Sequence, residues 1–361
     1  MRHIFKLSAI ACTVLSLSAC NSSSESEEDA GFSLQRDLEY VEGFQLLVSE
    51  GDLWLTDMSG RVSRLAANDD EWEFAVNGIT GNATFLFNPA PEQFVMTTQQ
   101  IRMFSVSNDG GEEWQLHEGQ TQHPLPYTSY SAMLQIDNDV YMHAGEGLHR
   151  TQLDVNRPED SFRDIEVLHE SDVSAVFPFE NRVRALIHNE ARNELWWAEF
   201  GGTGSEDYRV MRMDLVTEDV ELVFTHDVNL IKDGFVDDTD PNTLVIGGED
   251  GLRVSYDNGE TWERHVLDEG SDHVVYSVQQ DLVSLNYYAY VSVEQDDTRT
   301  DEMWCSVDQG ASWTRTTLAE GSDGIFSSRG PMVFHDRDGA RYFFIPTYDG
   351  VVQGALGDVT C

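Results

Sequence analysis

Tyr287, Tyr288 and Tyr290 stand a few residues before Glu294, and a phenol beside a carboxylate is the pairing that can turn tyrosine into a nucleophile for glycoside hydrolysis. Such a reaction on an acidic sugar also needs a cationic cluster and a further acid. Arg61, Arg64, Arg102, Arg253, Arg329 and Arg341 are available, but nothing in their context separates them from arginines that balance an acidic surface. The tyrosines read better as alternating aromatic residues of an inner strand. The histidines are scattered, with no His-Glu-x-x-His, so no metal ligand is assigned. Two oxygen-rich loops, Asp237-Asp238-Thr239-Asp240-Pro241-Asn242 and Asp336-Arg337-Asp338-Gly339, leave calcium open as an ion, though neither has EF-hand spacing and both read as solvated turns. Serine-nucleophile motifs, phosphate loops and Cys-x-x-Cys are absent. No catalytic residue is assigned.

The elements that would carry any site are strands. Short apolar runs alternate with Gly, Asp and Asn turns, and no segment has sustained helical periodicity between caps. One frame, Ser-x-Asp-x-Gly-x-x-Trp, occurs three times: Ser107, Asp109, Gly111, Trp114; Ser255, Asp257, Gly259, Trp262; and Ser306, Asp308, Gly310, Trp313. Asp accepts hydrogen bonds from nearby N–H groups and Gly takes the positive φ of a tight turn. Trp, entering the next strand, would lie back over the loop. Three copies predict a repeat architecture.

This frame resembles the Asp-box, or BNR, repeat of sialidases, sortilin-type receptors and photosynthetic assembly-factor propellers. The first copy departs from it, with Glu113 where Thr or Ser is usual. The resemblance implies an all-β propeller in which each box caps the hairpin between third and fourth strands, on the side away from the usual binding face. It also implies a structural role for the box residues. The Arg-Ile-Pro segment of sialidases is missing, and boxes occur in enzymes and non-enzymes alike.

Gly-led strands marked by Leu53, Ile101, Leu148, Val210, Leu252, Met303 and Val351 give seven units, with six or eight blades as alternatives. The blades are expected at Phe44 to Leu65, Glu73 to Leu116, Ala132 to Leu168, Val173 to Phe224, Phe235 to Leu267, Val274 to Leu318 and Met332 to Leu356. Residues 201–207 form an inserted loop in the fourth. Degenerate boxes are expected at Asp57 to Gly60, Asp154 to Asp160 and Val216 to Asp219. The seventh blade lacks an outer strand, which residues around Leu34 to Val41 are free to donate. Cys361, beyond the last strand, then falls near Cys305 of the sixth blade, and a disulfide there would pin the seam.

The N-terminus reads as an export signal over residues 1–19, with Arg2 and Lys6 before a short apolar run. Its end, Leu17-Ser18-Ala19-Cys20, resembles a bacterial lipobox, which implies lipid on Cys20 and anchoring of the mature protein to a membrane. Asn21 in place of Asp implies the outer membrane, facing periplasm or exterior. Residues 20–31 are rich in Ser and acidic residues and read as a flexible tether to a propeller at 32–361. The formal net charge of −43 opposes nucleic acid and anionic lipid and favours basic partners. The expected function is non-catalytic binding of a protein or polysaccharide. The alternative is a sialidase-like glycoside hydrolase or carbohydrate-binding protein.

Overall fold

The computed structural model describes residues 32–35 and 43–361, apart from 58, 68, 70, 78–83, 99–100, 102, 119–129, 145–146, 172–184, 201–207, 228–230, 266, 268–271, 296–297, 321–327, 329, 338 and 348–349. The leader, Cys20, the tether, Arg102, Arg329 and the inserted loop 201–207 therefore lie outside the described residues.

Seven four-stranded antiparallel sheets follow one another along the chain and make a seven-bladed β-propeller. The described residues hold no α-helix, only three short 3-10 turns. In six blades the strands run outward in chain order. The seventh is built from Val333–Arg337, Ala340–Thr347 and Gly350–Ala355, and its outer strand is Phe32–Gln35, paired antiparallel with Val351 to Gly354. The ends of the chain thus close the ring within one sheet, as the missing strand required. The donor lies slightly earlier than expected, and 36–41 fall outside the described residues.

The core lies between blades. Second strands such as Leu244–Gly248 are buried throughout, while fourth strands such as Gln115–Glu118 and Glu166–Glu170 are mostly exposed. One sheet has no second layer of its own, so its apolar faces must meet neighbours. Ile187, Trp196 and Ala198 of blade four pack with Leu244 and Ile246 of blade five, and Leu46, Leu53 and Leu55 of blade one with Phe344 and Val351 of blade seven.

Blade one corrects part of the sequence reading. Glu73–Asn77 is its fourth strand, paired with Arg61–Leu65, and is not the start of blade two, whose first strand is Thr84–Ala90. Leu53 accordingly lies on a second strand, and Asp57 to Gly60 joins second and third strands instead of occupying a box position. The confusion has a physical cause. The Asp57 carboxylate accepts from the N–H groups of Ser59 and Arg61 and the Ser59 hydroxyl, the same side-chain-to-backbone capture that a box uses. The turns at Asp154 to Asp160 and Val216 to Asp219 do join third and fourth strands.

Alternation of strand direction defines two faces. First-to-second and third-to-fourth connections lie on one, the box face; second-to-third and blade-to-blade connections lie on the other, the mouth face. On the box face the three frames share one geometry. In the second copy Ser255 Oγ donates to Asp257 Oδ1 at 2.9 Å and accepts from Gly259 N–H at 2.7 Å; Asp257 accepts from Thr261 N–H at 2.8 Å, and Trp262 Nε1–H donates to Gly259 O at 3.1 Å. Thr261 and Ser312 add hydroxyl bonds to their aspartates at 2.6 Å. At the first box the residue in this position is Glu113, whose N–H donates to Asp109.

The box glycines also serve packing between blades. A Cβ on Gly111 would lie 2.4 Å from Trp54 of the preceding blade, and one on Gly259 2.4 Å from Trp196 of the preceding blade, at φ of +90° and +83°. Both backbone conformation and space exclude a side chain there.

Candidate functional site: the central channel

All seven blades contribute to a cavity of about 370 Å3 in the central channel. Phe44 and Gln45, Phe85, Ala132 to Leu134, Ile187 and His188, Asp233 to Val236 and Gln279 come from the first strands of blades one to six. Gly330 and Pro331 enter just before that of blade seven. The lining is mainly apolar, with a few convergent polar groups, the general make-up of a binding pocket. A second cavity of about 470 Å3 shares Gln45, Met133 and Leu134 and continues toward the box face past Asn88, Gln135 and Asp137.

Amide side chains tie these strands together. Gln45 donates to Leu86 O and accepts from Leu86 N–H, and Gln135 accepts from Asn88 N–H, joining blades one to two and two to three. Between blades five and six the tie is a carboxylate. Asp233, buried, accepts from Ser277 Oγ–H at 2.5 Å, Val278 N–H at 3.1 Å, Gln279 Nε2–H at 3.0 and 3.1 Å and Gly234 N–H at 2.9 Å. Ser277 Oγ in turn accepts from Met332 N–H at 2.8 Å, so three blades meet at one anion.

Burial raises the Asp233 carboxyl, and the bonds from Ser277, Gln279, Gly234 and Val278 lower it; burial wins, pushing it up to about 6. The folded protein therefore holds this proton more tightly than the unfolded chain. Below pH ~4 both forms are protonated and nothing is lost. As pH rises from ~4 to ~6 the unfolded chain ionises first, and stability falls by about 3 kcal/mol before levelling off. Asp233→Asn, in which Gln279 can turn its amide to present Oε1, is expected to flatten this part of the profile in urea denaturation across pH 4–7. A variant with wild-type slope would show that Asp233 ionises freely.

A second buried carboxylate lies between blades three and four. Glu199, on the second strand Glu194–Phe200, accepts from Ser171 Oγ–H at 2.8 Å and Trp197 Nε1–H at 3.1 Å. It faces His143 Nε2 at 3.5 Å and His169 Nε2 at 3.4 Å. Burial opposes its ionisation, but the bonds from His143 and His169, the charge of His143 and the Trp197 N–H prevail and hold it well below the usual carboxylate range. The sequence reading missed both acids. The available signal was a lone charged residue in an apolar strand, Leu195-Trp196-Trp197-Ala198-Glu199-Phe200.

Among the described residues the tyrosine and arginine candidates are not brought together. Tyr287 and Glu294 lie near opposite ends of one nine-residue strand, roughly 23 Å apart at 3.3 Å per residue. Tyr287 is buried and its hydroxyl donates to Asp237; burial first, then Asp237, raise its phenol, the reverse of an activated nucleophile. Tyr288 packs against Phe334, and Tyr290 against Tyr276. Arg61 pairs with Asp57, Arg64 with Asp52, Arg253 with Asp250 and Arg341 with Asp281. No arginine or tyrosine lines the channel cavity among the described residues.

The oxygen-rich loop at 237–242 uses its carboxylates internally. Asp237 accepts from Thr239 and Asp240 N–H and Gln280 Nε2–H, and Asp240 from Asn242 N–H and the Thr243 hydroxyl. In the other loop Asp336 pairs with Arg341 at 3.3 Å. No group of three or more His, Cys, Asp or Glu residues is arranged to hold a metal among the described residues. Cys305 and Cys361 form a disulfide with Cα atoms 5.1 Å apart.

No protein-family model and no curated protein matches this chain. Solved structures do match in fold. A structure of YCF48 bound to a D1 peptide has a TM-score of 0.61 at 12% identity, covering 92% of this chain and 98% of that one. The extracellular domain of BT4673 from B. thetaiotaomicron has 0.58 at 11%, covering 90% of this chain; the present chain spans 40% of that chain's length. The RRP9 WD40 repeats have 0.52 at 10%, covering 89% and 95%. At these identities the likeness is one of fold: the chain is a seven-bladed β-propeller similar, at low identity, to YCF48 and the BT4673 extracellular domain.

Proposed function

We propose that this protein is a non-catalytic binding propeller of a bacterial envelope. Residues 1–19 would direct export, Cys20 would carry lipid in the outer membrane, and residues 20–31 would tether the ring. The partner is a protein or polysaccharide held at the mouth face and central channel. One observation carries the reading: an apolar cavity reached by all seven blades, with Gln45, Asp233 and Gln279 converging on it and no arginine or tyrosine in its lining among the described residues. The structural similarity to YCF48, which has been captured with a peptide, supports a polypeptide partner. The net charge of −43 favours a basic patch on it and salt-sensitive association.

A photo-crosslinking residue at Met133, in the channel lining, is expected to capture one reproducible partner in intact cells, with less capture at high salt. The same residue at Leu222, exposed on the outer rim, is expected to capture none. Absence of any protein or glycan adduct from Met133, or identical adducts from both positions, would overturn the proposal.

A further inference from the structure

The box face of blade six carries an apolar tip. Its first and second strands, Asp272–Gln280 and Tyr287–Gln295, are joined by a turn whose Leu282 and Val283 are 64% and 71% exposed, with Leu285 43% exposed. Val307, 63% exposed, follows Ser306, which pairs with Tyr287 at the foot of the same turn. The tip is firmly built. Asp281, buried beneath it, accepts from the N–H and hydroxyl of Ser284 at 2.9 and 2.7 Å. Arg341 of blade seven donates to the same carboxylate from Nε at 2.9 Å. Tyr256 and Val216, also exposed, lie on connections of the same face. The other exposed large hydrophobic residues among those described are Val48 on a first strand and Phe74, Leu116, Val167 and Leu222 on fourth strands.

The direction of the closing strand places the start of the ring at this face. Phe32 pairs with Gly354 and Gln35 with Val351, while Gly350–Ala355 runs from the mouth face to the box face. Phe32 therefore stands at the box face of blade seven, beside the blade that carries the tip. The twelve residues from Cys20 to Gly31 can reach about 40 Å when fully extended. A lipid on Cys20 would keep the box face within that distance of the bilayer.

We propose that the box face is the membrane-facing side of the ring and that Leu282, Val283 and Leu285 contact the bilayer surface. The inference rests on the lipidation of Cys20 put forward above. The contact is apolar, so the acidic field of the ring favours zwitterionic lipid over anionic lipid. Tethering supplies a high local concentration of lipid, which lets a small apolar tip engage without binding strongly on its own. The mouth face is then presented away from the membrane.

The test uses the full mature lipoprotein in vesicles of phosphatidylethanolamine and phosphatidylcholine. With Cys20 lipidated and Cys305 bridged to Cys361, Val283→Cys provides a single thiol for an environment-sensitive fluorophore, and Glu170→Cys, exposed at the mouth-face end of its strand, provides the control. The label at 283 is expected to brighten several-fold and to be quenched by nitroxide lipids, with no change at 170. Intact mass separates the two readings. A chain without lipid on Cys20 overturns both; a lipidated chain whose label at 283 remains water-like overturns only the membrane contact.

Discussion

Glu199→Gln is expected to lower unfolding stability by about 3 kcal/mol at neutral pH, because it removes the charge on which a buried network is centred. The shape of the side chain is retained, so the loss reports electrostatics and hydrogen bonding more than packing. Glu199 has a folded-state pKa below its unfolded value near 4.5. Its stabilisation is therefore fully present above that value and is lost progressively as the pH falls below it toward the lower folded-state value. Wild-type protein should lose more stability than the variant between pH 6 and pH 3 in urea denaturation. Equal stability of the two proteins across that range would remove Glu199 from the account of how blades three and four hold together. Asp233 behaves with the opposite sign: its ionisation opposes folding, while that of Glu199 supports it. The difference lies in the partners. Glu199 faces two imidazoles, and Asp233 is surrounded by neutral donors.

Loss of the Cys305–Cys361 bridge is expected to cost about 4 kcal/mol, the chain-entropy value for residues 56 apart. Cys361→Ala is the cleaner variant, since Cys361 is exposed and Cys305 is buried. Wild-type protein under reducing conditions should reproduce its urea midpoint. A loss well under 1 kcal/mol would mean that the closing strand Phe32–Gln35 holds the seam without help.

The fold was legible because its signals are local. Ser255, Asp257, Gly259 and Trp262 satisfy one another within eight residues, so their spacing survives in the sequence and repeats with the blades. Locality also produced the error in blade one. Asp57 builds a turn from its own neighbours, and such a turn is equally good between any two strands. The channel and the buried carboxylates were not legible, for the complementary reason. Asp233 meets Ser277, which meets Met332, and His143 meets Glu199, contacts between blades that leave no fixed spacing. Alternating aromatics at Tyr287, Tyr288 and Tyr290 correctly suggested a strand, but the strand points Tyr287 into one core and Tyr288 and Tyr290 into another, and leaves Glu294 at its far end.

The strand Phe32–Gln35 has a consequence for the order of events during biosynthesis. It is among the first parts of the propeller to be made and pairs with Gly350–Ala355, among the last. Six blades can form from neighbouring segments as the chain lengthens, but the seventh must wait for a contact spanning nearly the whole sequence. Contacts of such high sequence separation are slow to form. Until then the edge of Gly350–Ala355 has unpaired backbone groups, which can be filled by the same strand from another copy. Crowding of nascent chains would therefore favour exchange of this first strand between molecules, giving linked rings in place of closed ones.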